Sequence, residues 1–390
     1  MSLKLGYKQT EIGVIPDDWA IAEFGSVCHL RRERGVATAE SFVIDLEHIG
    51  SGSGRLVGES SGLAISTKVA FQRGDVLFGR LRSYLRKYWL AETEGLCSTE
   101  IWAFVPEEEK VDSSFLFQIV RLDGFITATG VSYGTHMPRS DWSTIREWPV
   151  SLPPLKEQKA IAEALSDADA LIDSLEALLI KKRNIKTGAM QELLTGHTRL
   201  PGFTGDWQEF RLGEFAEIVM GQSPDSRYYN LDGHGLPLIQ GNADIKSRKS
   251  IARVWTSASS KKAKMGDVLL TVRAPVGVVA TASQDVCLGR GVCALSPISG
   301  DITFLFHSLV RNESKWRVLE QGSTFTAANS KQVADFLIDA PQDLEEQQAI
   351  AKVLSDIDDE IDALEKRLAK TRDLKLGMAQ ELLTGRTRLV

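Results

Sequence analysis

Along the chain, apolar residues recur at alternating steps of four and three in two places. Ile161, Leu165, Ala168, Ile172, Leu175 and Leu179 make the first series; Ile350, Leu354, Ile357, Ile361, Leu364 and Leu368 make the second. This is the a/d seam of a coiled coil, narrower than the stripe of a helix lying on a globular core. The seam degrades at Lys182 and at Thr371, so the tight zipper is expected in the N-terminal part of each helix. Charge is sorted along the first helix to suit its dipole, with Asp167, Asp169 and Asp173 early and Lys181, Lys182, Arg183 and Lys186 late. Pro153-Pro154 and Pro341 mark the helix starts, Asp343 with Glu346 reads as a capping box, and Gly196 and Gly385 are the expected stops. At about 1.5 Å per residue, a helix from Glu157 to Leu194 runs on the order of 55 Å.

The two helices are copies. The stretch that begins EQKAIAEALSD at Glu157 and ends QELLTGHTRL aligns with EQQAIAKVLSD at Glu346, ending QELLTGRTRL, at an offset of 189 residues (346 less 157). The duplication reaches further. Trp19 and Gly25 match Trp207 and Gly213, Gly74-Asp75-Val76-Leu77 matches Gly266-Asp267-Val268-Leu269, and Asp112 with Phe115-Leu116-Phe117 matches Asp301 with Phe304-Leu305-Phe306. Each GDVL opens an apolar, β-branched run that reads as a core strand; 100–105 and 286–295 read as further strands, the latter interrupted by Gly289 and Gly291. Asp112 and Asp301 are natural helix caps. Strands with one or two helices in no regular βαβ alternation make the class α+β. Glycine-rich polar stretches at 50–54 and 221–235 are surface loops, where specificity usually resides. The last residues, Thr387-Arg388-Leu389, repeat Thr198-Arg199-Leu200, which run straight into the second domain. The last helix is therefore expected to return to the first domain, closing a frame with internal two-fold pseudo-symmetry and its two long helices forming an antiparallel coiled coil.

Composition adds bounds. No run approaches a membrane span, and the first residues, MSLKLGYKQTEIG, lack the apolar core of a signal peptide. Cys28, Cys97, Cys287 and Cys293 show no CxxC spacing, so neither a zinc ribbon nor a disulfide framework is indicated and a reducing, cytoplasmic location is expected. The formal net charge of −6 argues against a uniformly basic surface, but nucleic-acid binding needs only a local basic face.

A PPLxEQxxIAxxL start to a long helix that ends in QELLTGxxRL, present once centrally and once C-terminally, resembles the specificity subunit of type I restriction–modification systems. The segments GDVLFGRLRSYLRK and GQSPDSRYYN…GLPLIQG are similar to its target-recognition domains. The resemblance covers essentially the whole chain. It implies target-recognition domains at 1–152 and 198–340, a central helical spacer at 153–197 and a second spacer at 341–390. It also implies a non-catalytic subunit in which each domain reads one half of a bipartite site in double-stranded DNA. The helices would set the gap between half-sites and dock two methyltransferase subunits, with restriction/translocase subunits joining the full complex. S-adenosylmethionine, ATP and Mg would then be expected on the partner subunits, with no cofactor on this chain. Gly188, Met190, Leu193 and Leu194, with Gly377, Met378, Leu382 and Leu383, lie past the zipper and are the expected docking face.

Candidate DNA contacts follow from side-chain chemistry. In the first half, Arg80, Arg82, Tyr84 and Arg86, with Tyr88, would share one strand face if the strand from Gly74 ran that far; guanidinium groups suit phosphates or guanine edges. The Arg31-Arg32-Glu33-Arg34 run reads as a solvated loop. In the second half the basic residues are Lys246, Arg248 and Lys249, then Lys261, Lys262 and Lys264, with Arg273 the one arginine kept after GDVL. Gln222, Ser223, Arg227 and Tyr228, with Tyr229, Gln240 and Asn242, carry groups suited to base edges. No catalytic or metal site is indicated. There is no P-loop, no GxGxxG after a strand and no NPPY-like or DPPY-like tetrapeptide, and His29, His48, His136, His197, His234 and His307 are scattered. Acidic residues on the helices read as a solvated face. The competing interpretation is a duplicated coiled-coil scaffold for protein assembly without DNA recognition.

Overall fold

A computed structural model describes residues 5–58, 67–130, 138–259, 261–316 and 327–389. The chain forms two compact units, residues 1–175 with 367–390, and residues 176–366. The division falls inside both long helices, Leu155–Leu193 and Leu344–Leu382. The first unit therefore holds the start of one helix and the end of the other, and the second unit holds the remainder of each.

The first unit has two four-stranded sheets, and inside one of them lies the strand Val76–Gly79, whose four residues are all buried. Side chains on a strand alternate between faces. Val76 and Phe78 enter a core built on Trp19, Phe24, Phe104, Phe115 and Phe125, while Leu77 faces a second core with Ile44, Phe71 and Trp89. That two-sided burial is why GDVL reads as an unbroken apolar run. The second unit repeats the arrangement. Val268 and Leu270 join Phe304, Leu305 and Trp316, and Leu269 joins Ile239, Val286 and Leu288.

Each globular part is fastened to its helix in the same way. Pro149–Leu152 pairs antiparallel with Ala20–Glu23, and Leu337–Pro341 pairs with Trp207–Arg211, so the strand that leads into each helix is held in a ladder. Asp112 caps a short helix by accepting from the Ser114 and Phe115 amides, and Asp301 accepts from that of Phe304. The Gln158 and Gln347 amides then staple these caps to the long helices. Gln158 accepts from the Asp112 N–H at 2.9 Å and donates to Pro153 O at 2.9 Å; Gln347 accepts from the Asp301 N–H at 2.9 Å and donates to Pro341 O at 2.8 Å. Both long helices end before a glycine in the left-handed region, Gly196 at φ +71° and Gly385 at φ +70°.

The helix segments in each unit run antiparallel. In the second unit Lys186 meets Asp358, Lys182 meets Glu360 and Arg183 meets Glu365. In the first unit Lys375 and Arg121 both meet Asp169. Burial raises the Asp169 pKa, but these two cations outweigh it and hold the carboxyl below its ordinary value.

Four expectations change. Ile161 and Leu165, and likewise Ile350 and Leu354, are seam positions by spacing, yet they are buried among the domain cores, so the first turns of each helix belong to the globular parts. Asp343 does bond the Glu345 amide, but Glu346 turns to Arg199 and closes no capping box. Met190, Leu193 and Leu194 are buried in the second unit and Leu383 in the first, so these are core residues and no docking face; Leu382 is buried as well but also lines a helix groove with Gly377 and Met378. Finally, Glu157 and Glu346 are 2% and 0% exposed, against the reading of helix acids as solvated.

Candidate nucleic-acid interface

In the second unit, four loops meet at one end of the buried strands. The Gly221 amide donates to Val292 O, the Gln222 amide to Leu288 O, the Gly289 amide to Ile239 O, and the Val272 amide to Gly291 O, all within 2.8–3.0 Å. Glycine makes the convergence possible. A Cβ at Gly221 would lie 2.1 Å from Gly289 O, and one at Gly291 would lie 2.0 Å from Gln240 O. The loops bring Gln222, Ser223, Gln240, Asn242 and Arg273 into one neighbourhood. Gln222, Gln240, Asn242 and Arg273 are exposed, and Ser223 accepts from the Arg290 amide at 3.2 Å. Gln240 reaches the Tyr229 hydroxyl at 3.4 Å, and its own amide is held by buried Asp244 at 2.8 Å. Arg290, exposed between Gly289 and Gly291, belongs to this cluster and was missed from sequence; an arginine between two glycines was the available signal.

The remaining candidates of this unit divide. Arg227 lies 5.1 Å from the Tyr228 ring centre and pairs with Asp225 at 3.2 Å. Lys246 and Lys249 are exposed on the strands of a two-residue hairpin, whose central Ser247 and Arg248 sit at φ +47° and +57°. Those angles suit Asn-Gly and strain other residues. Arg248 is spent within the fold, forking onto Glu313 and bonding Val279 O. Lys261, Lys262 and Lys264 are exposed around the edge strand that pairs with Val286–Leu288.

The first unit has the same site in different chemistry. Its Arg80 amide donates to Glu100 O and its Arg80 carbonyl accepts from Ser140, as the Val272 amide donates to Gly291 O and the Val272 carbonyl accepts from Ala328. The strand ends at Gly79, so the expected arginine–tyrosine face does not form. A 3-10 turn, Ser83–Leu85, follows instead, flanked by Arg82 and Arg86 at φ +52° and +53°. It holds Tyr84 out, 59% exposed, while Tyr88 is buried on the next strand. Arg82 is exposed and Arg86 pairs with Asp123. Arg80 lies over Trp102, 5.4 Å from its ring centre. The Arg31–Arg34 run lines a cleft with Arg80, and its Arg32, Glu33 and Arg34 are exposed, as expected of a solvated run.

A second pair of equivalent sites clasps the ends of the helices. In the first unit the Arg388 guanidinium forks onto Glu157, donates also to Asp18 at 2.9 and 2.8 Å, and Trp19 Nε1 donates to Glu157 at 3.1 Å. The Glu157 and Asp18 carboxylates raise the Arg388 pKa, and the Arg388 hydrogen bond lowers that of Asp18. In the second unit Arg199 forks onto Glu346 with both distances 2.6 Å, and Trp207 Nε1 approaches the same carboxylate at 3.4 Å. The repeated E, TRL and W signatures are thus one lock built twice.

Among the described residues no group of three His, Cys, Asp or Glu side chains could hold a metal, and no helix is long and apolar enough to cross a membrane. His136 lies outside the described residues.

Two α+β units, each ending its buried strands in a polar loop cluster and each locked to a segment of long helix, define a duplicated DNA-specificity protein. The chain belongs to the family described as the type I restriction modification DNA specificity domain, which matches residues 16–182 and 204–371. It is 28% identical to a putative type I restriction enzyme MjaX specificity subunit of Methanocaldococcus jannaschii, over 98% of this chain and 97% of that relative. It also resembles the HsdS subunit of Thermoanaerobacter tengcongensis, at 29% identity, with a TM-score of 0.50 over 96% of this chain and 98% of that one. The type I system S subunit from M. genitalium shares the fold, with a TM-score of 0.66 at 15% identity over 98% of both chains.

Proposed function

We propose that this chain is the non-catalytic, sequence-reading subunit of a type I restriction–modification complex. Each unit reads one half of a bipartite site in double-stranded DNA, and the helices fix the spacing. The observation that carries this reading is that the equivalent loop after the central buried strand bears different side chains in the two units: Arg80, Arg82 and Tyr84 in one, Val272 and Arg273 in the other. A shared scaffold with divergent tips is what two different half-sites and one repeated partner demand. The proposed domain limits, 1–152 and 198–340 with spacers 153–197 and 341–390, separate the tips from the repeated helices.

The face offered to the two methyltransferase subunits is the outer helix surface. In the first unit Ala164, Leu374, Gly377, Met378 and Leu389 line a groove of about 610 Å³, beside which Leu376 is exposed. In the second unit Ile185 is exposed at the position equivalent to Leu374. Exposed apolar side chains on an otherwise charged helix fit a partner's helices. Methyl transfer with S-adenosylmethionine, and ATP- and Mg-dependent translocation and cleavage by restriction subunits, belong to the partners in this reading.

Mapping methylated adenines across the host genome, with and without this chain, tests it. The expected result is loss of one bipartite motif. An unchanged methylation pattern overturns the reading.

A further inference from the structure

The cleft of the first unit carries more than its equivalence to the second. It has a volume of about 660 Å³, and Arg31, Arg32, Arg34, Arg80, Trp102 and Trp142 are among its walls. Arg31 is committed to the fold, gripping buried Asp75 at 2.6 and 3.0 Å. Arg32 and Arg34 are exposed, and among the described residues neither they nor Arg80 has an ion-pair partner. The neighbouring carboxylate of Glu100 takes three bonds from Arg139 at 2.9–3.1 Å and also feels the charge of Arg80, without an ion pair between the two. Among the described residues Glu33 is the one acid on the wall, and it lies 3.8 Å from Arg31.

Arg80 is the informative residue. Its Nε is buried and has no acceptor among the described residues. A buried cationic donor left unpaired is costly, and native structures rarely keep one without a reason. Its guanidinium is fixed over Trp102, which is 6% exposed, so the indole offers no free face for a base to stack on. What the cleft presents is positive charge from exposed Arg32 and Arg34 and the half-buried Arg80, with little opposing acid on its wall, the chemistry that grips a phosphoryl group. We propose that this cleft is a phosphate-binding site, occupied in the assembled complex by a backbone phosphate of DNA. The assignment rests on the sequence-reading role above. It makes Arg80 a register-setting anchor and leaves base reading in this unit to the neighbouring turn at Tyr84, since phosphate contacts position a duplex but carry no sequence information.

The test uses the full chain assembled with its partner subunits. Binding to the cognate duplex and to a duplex scrambled in both half-sites is measured over a salt series for the wild type, for Arg80→Gln and for Arg32→Ala/Arg34→Ala. The double variant changes only exposed side chains and so guards against a folding defect at Arg80. Both variants should weaken binding by the same factor on both duplexes and flatten the plot of log K against log salt by about 0.9 per lost phosphate contact. The methylated motif should stay the same. An unchanged slope, or an altered motif, overturns the proposal. Inorganic phosphate, titrated into the DNA-free complex by tryptophan fluorescence, separates the possible sources. Saturation that needs Arg80, together with an unchanged DNA slope, would make a free phosphate or nucleotide the occupant and overturn the DNA assignment alone. A wild type that binds both duplexes equally would instead remove the sequence-reading role, and Arg80-dependent saturation by phosphate would then decide the cleft.

Discussion

Arg388 and Glu157, 231 residues apart in the chain, form a two-pronged ion pair, Nε to Oε1 at 2.6 Å and Nη2 to Oε2 at 2.8 Å. The carboxylate is 2% exposed and also accepts from Trp19, so the pair is a buried network and no surface bridge. Removing one member of such a pair leaves the other uncompensated, at a cost on the order of 3 kcal/mol. Glu157→Ala should therefore lower the unfolding free energy of the first unit, read from urea curves, by that amount, and removal of residues 387–390 should do nearly the same. Combining the two should add little. Additive losses in that double-mutant cycle would mean the tail and Glu157 act separately.

The same lock implies that the chain ends can be moved. Tyr7 donates to Gly385 O at 3.0 Å, and Arg388 reaches Asp18, so residues near 7–18 and 385–388 meet on the first unit. In the second unit Arg199 does the work of Arg388, but the chain continues through an exposed stretch at 201–206. A permutant opened between Gly202 and Gly205, with the old ends joined by a Gly/Ser linker, keeps both ion pairs. It should melt cooperatively and direct methylation to the same motif. A permutant that loses the first unit's fold, read by loss of its melting transition, rules this out.

His307 gives a pH signature to the second unit. It is 1% exposed on the helix Ile302–Arg311, and burial, then Lys186 and Arg248, push its pKa down to about 3 from an ordinary value near 6.5. A pKa lower in the folded state means that the stability is fully present above about pH 6.5. It is lost as the pH falls from there toward 3, by at most about 1.4 kcal/mol per pH unit. Between about pH 6.5 and 5.5 most carboxylates are still ionised, so unfolding free energies compared between wild type and variant in that window isolate the effect. His307→Gln should flatten the decline, whereas an equal slope in wild type and variant would assign it elsewhere.

How much of this was legible beforehand depends on what kind of signal each residue sends. The helices, their glycine stops and the GDVL strands carry period and punctuation, and all were readable. Glu157 and Glu346 looked like solvent-facing acids because a sequence gives no hint of a partner such as Arg388 or Arg199, more than a hundred residues away. Leu382 and Leu383 looked free because they lie past the a/d seam; the core they enter comes from the other end of the chain. The run from Arg80 to Tyr88 alternates as a strand would, but Arg82 and Arg86 take left-handed backbone angles, and no side-chain pattern announces those. Of the DNA candidates, Gln222, Gln240 and Asn242 lie on loops that meet, and Arg248 is tied to Glu313. Such pairings are decided by tertiary packing.

The glycines that let loops meet in the second unit separate framework from reading. A Cβ at Gly291 would collide with the Gln240 carbonyl at 2.0 Å, a backbone atom that no rotamer change can move. Gly291→Ala must therefore push apart the 240–242 and 289–291 loops, displacing Gln240, Asn242 and Arg290 while the cores on either side of Leu269 and Leu270 stay filled. Gly205, in the exposed stretch before Trp207, is the control, because a Cβ there meets nothing within 4 Å. Gly205→Ala should leave DNA binding unchanged. With duplexes altered in one half-site at a time, Gly291→Ala should make the complex indifferent to changes in one half and leave discrimination in the other intact. Equal loss in both halves would show that the two units do not read independently. Full retention in both would remove this loop cluster from the interface.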